Sequence, residues 1–134
     1  MAMACIGAQL QWTITLESFP TRHNFRCTKQ DLVFCLEMSG VTVSGTVSDT
    51  GGTKIADVSG TLASSARAGF DFVRIEFRWP PADVIMIGMM FTQGRPTFHG
   101  RYVTMPAVGL AGDPLTVPVG PDTGDTGTGT GQTT

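Results

Sequence analysis

The sequence predicts an all-β domain, an antiparallel meander of seven or eight strands closing into a small β-barrel, with a two-sheet β-sandwich as the alternative. Three observations lead there. Apolar and polar side chains alternate with period two along most of residues 10–104. Turn residues interrupt that alternation at short intervals. Charged residues make up only 15% of the chain beside 17 glycines, a composition of strands and tight turns.

The elements follow in order. Leu10, Trp12, Ile14 and Leu16 alternate with Gln11, Thr13, Thr15 and Glu17, the pattern of a half-buried strand. Leu32, Phe34, Leu36 and Met38 form a second, with Val33 and Cys35 on its other phase; a short amphipathic helix over 31–38 is the competing reading. Val41, Val43 and Val47 alternate with Thr42, Ser44, Thr46 and Ser48, and Ala56, Val58 and Leu62 with Asp57, Ser59 and Thr61. Val73, Ile75, Phe77 and Trp79 alternate with Arg74, Glu76 and Arg78. Residues 84–91 are apolar on both phases, and Phe98 and Tyr102 then alternate with His99 and Arg101. Leu115, Val117 and Val119 are expected to supply a last edge strand, where Pro114 and Pro118 are tolerable.

Turn chemistry sets the expected register. A loop at 49–52 places Val47 opposite Lys54 and Val43 opposite Val58. A loop at 80–83 places Trp79 opposite Val84 and Phe77 opposite Met86, and one at 92–96 pairs Met90 with Phe98 and Met86 with Tyr102. A slip of one residue would turn a whole face inside out.

At 134 residues the chain is read as one domain over 1–119, long enough to bury a proper core. Residues 120–134 (GPDTGDTGTGTGQTT) carry no apolar side chain to offset the entropy of ordering, so a flexible Gly/Thr-rich tail is expected. A net charge of −2 creates no field for polyanions, and no nucleic-acid partner is expected. The longest apolar run, 84–91, is far short of the ~20 residues of a membrane span, so no membrane partner is expected either. Three cysteines (Cys5, Cys27, Cys35) without a framework spacing, and an N-terminus lacking a basic n-region, point to a reduced cytoplasmic setting. A subunit of a virion or other assembly would leave the same trace.

Two surfaces carry functional expectations. In the expected register Ile85, Ile87, Met89 and Phe91 face outward beside Phe72 and Val103, an apolar patch that rarely stays exposed on a monomer. Methionine suits such contact surfaces. The expected partner is a second copy of the chain, or a larger assembly containing it. At one barrel end, loop 18–30 gathers Arg22, His23, Phe25, Arg26 and Lys29 without a carboxylate, chemistry for a small anionic or aromatic ligand.

Catalytic and metal motifs are absent. His23, Cys27, Cys35 and Cys5 match no compact zinc spacing, no serine stands in a Gly-x-Ser-x-Gly elbow, and no phosphate-cradling glycine loop precedes a helix. No metal, cofactor or catalytic residue is assigned.

The runs Val43-Ser44-Gly45-Thr46-Val47 and Val58-Ser59-Gly60-Thr61-Leu62 resemble the paired Gly-Thr strands of avidin-like and lipocalin-like barrels. The chain lacks the avidin Asn-x-x-Gly-Ser element and the lipocalin Gly-x-Trp opening, so neither biotin binding nor membership is carried over. The sequence thus predicts a non-catalytic barrel that binds or assembles through the outer face of 84–91. A ligand binder using loop 18–30 is the alternative, and an enzyme of unknown class the second.

Overall fold

Alternation at period two becomes eight antiparallel strands in a computed structural model, which describes residues 5–18, 29–64, 69–80, 82–91, 94–106 and 126–133. They are β1 (Leu10–Ser18), β2 (Lys29–Ser39), β3 (Thr42–Asp49), β4 (Lys54–Ser64), β5 (Phe70–Trp79), β6 (Ala82–Phe91), β7 (Thr97–Pro106) and β8 (Thr126–Thr133). Each pairs with the next in sequence, and β8 returns to β1, so the sheet closes into a barrel and the sandwich alternative falls. Closure removes every free strand edge, the weak point of an open sheet. Residues 31–38 lie in β2, a strand and not a helix, because Leu32, Phe34 and Leu36 all point into the barrel.

The interior is a packed core. Trp12, Phe34 and Phe98 are almost fully buried, surrounded by Ile14, Leu36, Val47, Ile75, Val84 and Met86. Phe34 meets Phe77 edge-on at 5.7 Å, a favoured geometry for aromatic quadrupoles. Among the described residues one buried polar side-chain atom is left over: Trp12 Nε1 has no acceptor. An orphaned donor of this kind costs about 1–3 kcal/mol.

The expected faces hold along the described strands, apart from Leu10 at the open start of β1 and Val41 in the β2–β3 turn, but two of the expected registers are two residues out. Between β3 and β4, Val47 lies opposite Ala56 and Val43 opposite Gly60, with an irregularity between Val47 and Ser48. The turn is tightened by Asp49, whose N–H donates to Thr53 O at 2.9 Å while its Oδ1 accepts from Thr53 N–H at 2.9 Å. Between β5 and β6, Trp79 pairs with Ala82 and Phe77 with Val84. Residues 80–81 alone make this connection, so Ala82 and Asp83 belong to β6 and not to the loop. Both shifts are even, which preserves which side chains point inward. The register of β6 on β7, Met90 with Phe98 and Met86 with Tyr102, is as expected.

The largest correction concerns the C-terminal segment. Residues 126–133, placed by sequence reading in a flexible tail, form β8 and pair along their length with both β7 and β1. The expected edge strand at 115–119 lies outside the described residues. Compositional reasoning weighed the apolar side chains the segment could bury and found none. What holds β8 is backbone pairing on two sides, and the glycines are required for it. Gly127, Gly129 and Gly131 share the inward phase with Ile14 and Leu16. A Cβ on Gly131 would stand 2.1 Å from Thr13 O, and one on Gly127 2.0 Å from Glu17 O. Large side chains of the core, Leu16, Met86 and Phe98, fill the space over Gly129 instead.

A second correction concerns the cysteines. Cys5 and Cys35 form a disulfide across a sequence separation of 30 residues. Cys35 occupies the outward phase of β2 yet is only 8% exposed. The bond anchors the segment preceding β1, whose Gln9 N–H donates to Ile6 O at 3.1 Å. Constraint of the unfolded chain by a loop of this length stabilises by roughly 3 kcal/mol. Cys5→Ser is therefore expected to lower the urea midpoint under non-reducing conditions, with dithiothreitol then having no further effect. Peptide mapping that recovered both cysteines as free thiols would sink this expectation.

Candidate functional site

On β1, β3 and β8 the outer surface of the barrel is hydroxyl-rich. Thr13 and Thr15 on β1, Thr42, Ser44 and Thr46 on β3, and Thr128, Thr130 and Gln132 on β8 all take the outward phase. Apolar inside and polar outside is the reverse of a membrane-spanning barrel, which presents an apolar band to lipid. The described residues contain no helix long and apolar enough to cross a membrane.

On β5–β7 the pattern breaks. The outward residues of β6 are Asp83, Ile85, Ile87, Met89 and Phe91, because Val84, Met86 and Met90 already occupy the inner phase. Register arranges them in rows across three strands. Phe70, Phe91 and Thr97 form the first row, then Phe72, Met89 and His99, then Arg74, Ile87 and Arg101. Glu76, Ile85 and Val103 form the next row, and Arg78, Asp83 and Met105 the last. All six residues expected at an interface, Phe72, Ile85, Ile87, Met89, Phe91 and Val103, thus lie on one continuous outer face. Ile87 is 60% exposed, Phe72 49%, Met105 44% and Met89 36%.

The face has two halves. In one, apolar side chains dominate: Phe70 touches Phe72 edge-on at 5.5 Å and lies 5.7 Å from Phe91, which meets the His99 ring at 5.7 Å. This interlocked cluster holds Phe91 partly buried while Phe72 stays open. In the other half an open groove of about 490 Å³ runs between Glu76, Arg78, Asp83, Ile85 and Met105. Its walls are charged in alternation. Arg74 pairs with Glu76 at 2.6 Å and Arg78 with Asp83 at 3.2 Å. Such half-exposed pairs add little to the stability of the lone chain, typically about 0–1 kcal/mol.

Sequence reading missed Phe70 and Met105. Phe70 sits one outward step upstream of Phe72, and continuing the same phase would have found it. Met105 required knowing that β7 runs on to Pro106 opposite Ala82. The groove has no sequence signal, since it depends on how five rows stack across strands that are distant in the chain.

The candidate ligand loop fares differently. Arg22, His23, Phe25 and Arg26 lie outside the described residues. Lys29 opens β2, opposite Glu17 in register, with its Nζ 3.9 Å from that carboxylate and 69% of the side chain exposed. Among the described residues no three His, Cys, Asp or Glu side chains are grouped to hold a metal ion. Cys35, bonded to Cys5, is not available as a thiolate ligand.

Comparison with family models, curated proteins and solved structures finds no significant match to this chain. Inference about function therefore rests on the surface itself.

Proposed function

We propose that this protein is a non-catalytic assembly module that associates with further copies of itself through the outer face of β5–β7. The observation that carries the reading is the concentration of open apolar side chains there, Phe72, Ile87, Met89 and Met105, on a barrel whose β1, β3 and β8 present mainly hydroxyls outward. The remaining exposed large apolar residues among those described, Ile6, Leu10 and Val41, sit on the N-terminal segment, the start of β1 and the β2–β3 turn.

Size sets the expected strength. Three strands by five rows cover roughly 500 Å² of flat sheet at standard strand spacings. A standard stable interface takes about 800 Å² from each partner. Association through this face is therefore reversible and concentration-dependent unless neighbouring strands join it. The Cys5–Cys35 bond favours an oxidising compartment, or an assembled particle, over the reduced cytoplasm expected from the cysteine count. Sedimentation velocity across the micromolar range tests the reading. A sedimentation coefficient that rises with concentration is expected, and a monomer throughout would overturn it.

A further inference from the structure

Taking self-association through this face as given, we infer that the two copies meet about a two-fold axis crossing the strands between the Arg74 row and the Glu76 row. The axis lies in the plane of the face, so β5 packs on β5, β6 on β6 and β7 on β7, each antiparallel to its counterpart. Charge and shape both fit this axis.

Charge comes first. An isologous contact must be complementary to itself. About the stated axis, Arg74 of one copy faces Glu76 of the other, and the reverse pair forms by symmetry. The existing Arg74–Glu76 pair becomes half of an alternating ring of four charges. Arg78 falls opposite Phe72, a cation over an aromatic face. Arg101 lies over Val103, where its aliphatic stem can pack. An axis running along β6 instead would set Arg74 against Arg101. An axis through the Arg74 row would oppose Arg74 and Arg101 to their own copies, and one through the Glu76 row would oppose Glu76 to Glu76. Like charges facing each other across an interface cost several kcal/mol, so these three axes are disfavoured.

Shape gives the same answer. The exposed apolar half, with Ile87 and Phe72, and the groove bounded by Ile85, Glu76 and Met105 lie on opposite sides of the axis. Rotation about it lays the exposed half of each copy over the groove of the other. Ile87 then meets Ile85 of its counterpart at the centre, with the charge ring at the edge. Buried aliphatic contacts at the middle of a charged rim are the usual anatomy of a protein interface.

Charge reversal tests this arrangement without disturbing the core, since both side chains are about half exposed. Arg74→Glu makes the ring all carboxylate, and Glu76→Arg makes it all guanidinium. Each variant alone is expected to sediment as a monomer, with association at least about tenfold weaker than wild type. Mixed in equal amounts, the two set carboxylates against guanidiniums across the contact, and a hetero-dimer is expected to form at least about tenfold more tightly than either variant associates alone. Should either variant melt early, the neutral double variant Arg74→Gln/Glu76→Gln replaces it; association about tenfold weaker and insensitive to salt is then expected. Wild type that associates while both reversals associate equally well overturns the axis and leaves the face as the contact. Reversals that fail to recombine overturn it as well. Wild type that never associates removes the underlying reading.

Discussion

Deletion of residues 126–134 is expected to abolish the cooperative melt of the barrel and to send the protein into aggregates. The truncation leaves the backbone edges of β7 and β1 unpaired over seven register positions each. It also uncovers Ile14, Leu16, Met86, Phe98 and Tyr102, all of which touch or face the β8 glycines. Unpaired edges beside exposed core are the known route to intermolecular strand pairing. Point variants separate this account from a general loss of chain. Gly131→Val must push its Cβ against Thr13 O, a backbone atom that cannot yield, and a loss of about 3–5 kcal/mol is expected. Gly129→Ala meets only Leu16 Cδ2, Met86 Cε and Phe98 Cε2 at 3.3–3.4 Å, of which the Leu and Met ends can shift. Its cost should stay near 1 kcal/mol or below. Urea unfolding followed by tryptophan fluorescence reads all three, because Trp12 lies opposite Thr133 in register. A truncated protein that melts like the full chain would show that these residues are the dispensable tail their composition suggests.

Ile87→Glu is expected to convert the associated form to monomer, weakening affinity by about a hundredfold or more, while leaving the melting temperature of the lone chain unchanged. In the monomer position 87 is open and lies between Arg74 and Arg101 in register. A carboxylate there finds solvent and two cations, and exposed substitutions of this kind usually fall within about 0.5 kcal/mol. At the centre of a packed contact the same carboxylate must shed its water against Ile85 of the neighbouring copy. Uncompensated burial of one charge costs about 3–5 kcal/mol. Thr42→Glu, exposed on the outer phase of β3 opposite Ser39 and Thr61, is the matched control and should change neither property. Sedimentation velocity and a thermal melt on the same samples suffice. Unchanged association in Ile87→Glu would move the contact off this face.

The two halves of the proposed surface were unequally legible. Ile85, Ile87, Met89 and Phe91 could be found from sequence because a strand apolar on both phases has one phase left over once the core is filled. Phe72 and Val103 followed because the loop lengths kept parity, even though the β5–β6 register was two residues out. The Arg78–Asp83 pair and the groove beside it were not recoverable. They depend on which rows coincide, and a shift by two residues keeps the faces while changing every neighbour.

Alternation is a local property, readable one strand at a time, and by itself it determined the all-β class, the strand faces, the inward aromatic core and the outward apolar strip of β6. Only the tertiary structure decided that Thr126–Thr133 is the closing strand, that Cys5 reaches Cys35, and where each hairpin sits in register. Those outcomes turn on partners far away in the chain. A glycine strand gains its order from the two strands beside it and from the large side chains its missing Cβ atoms admit, and neither is written in the strand's own residues.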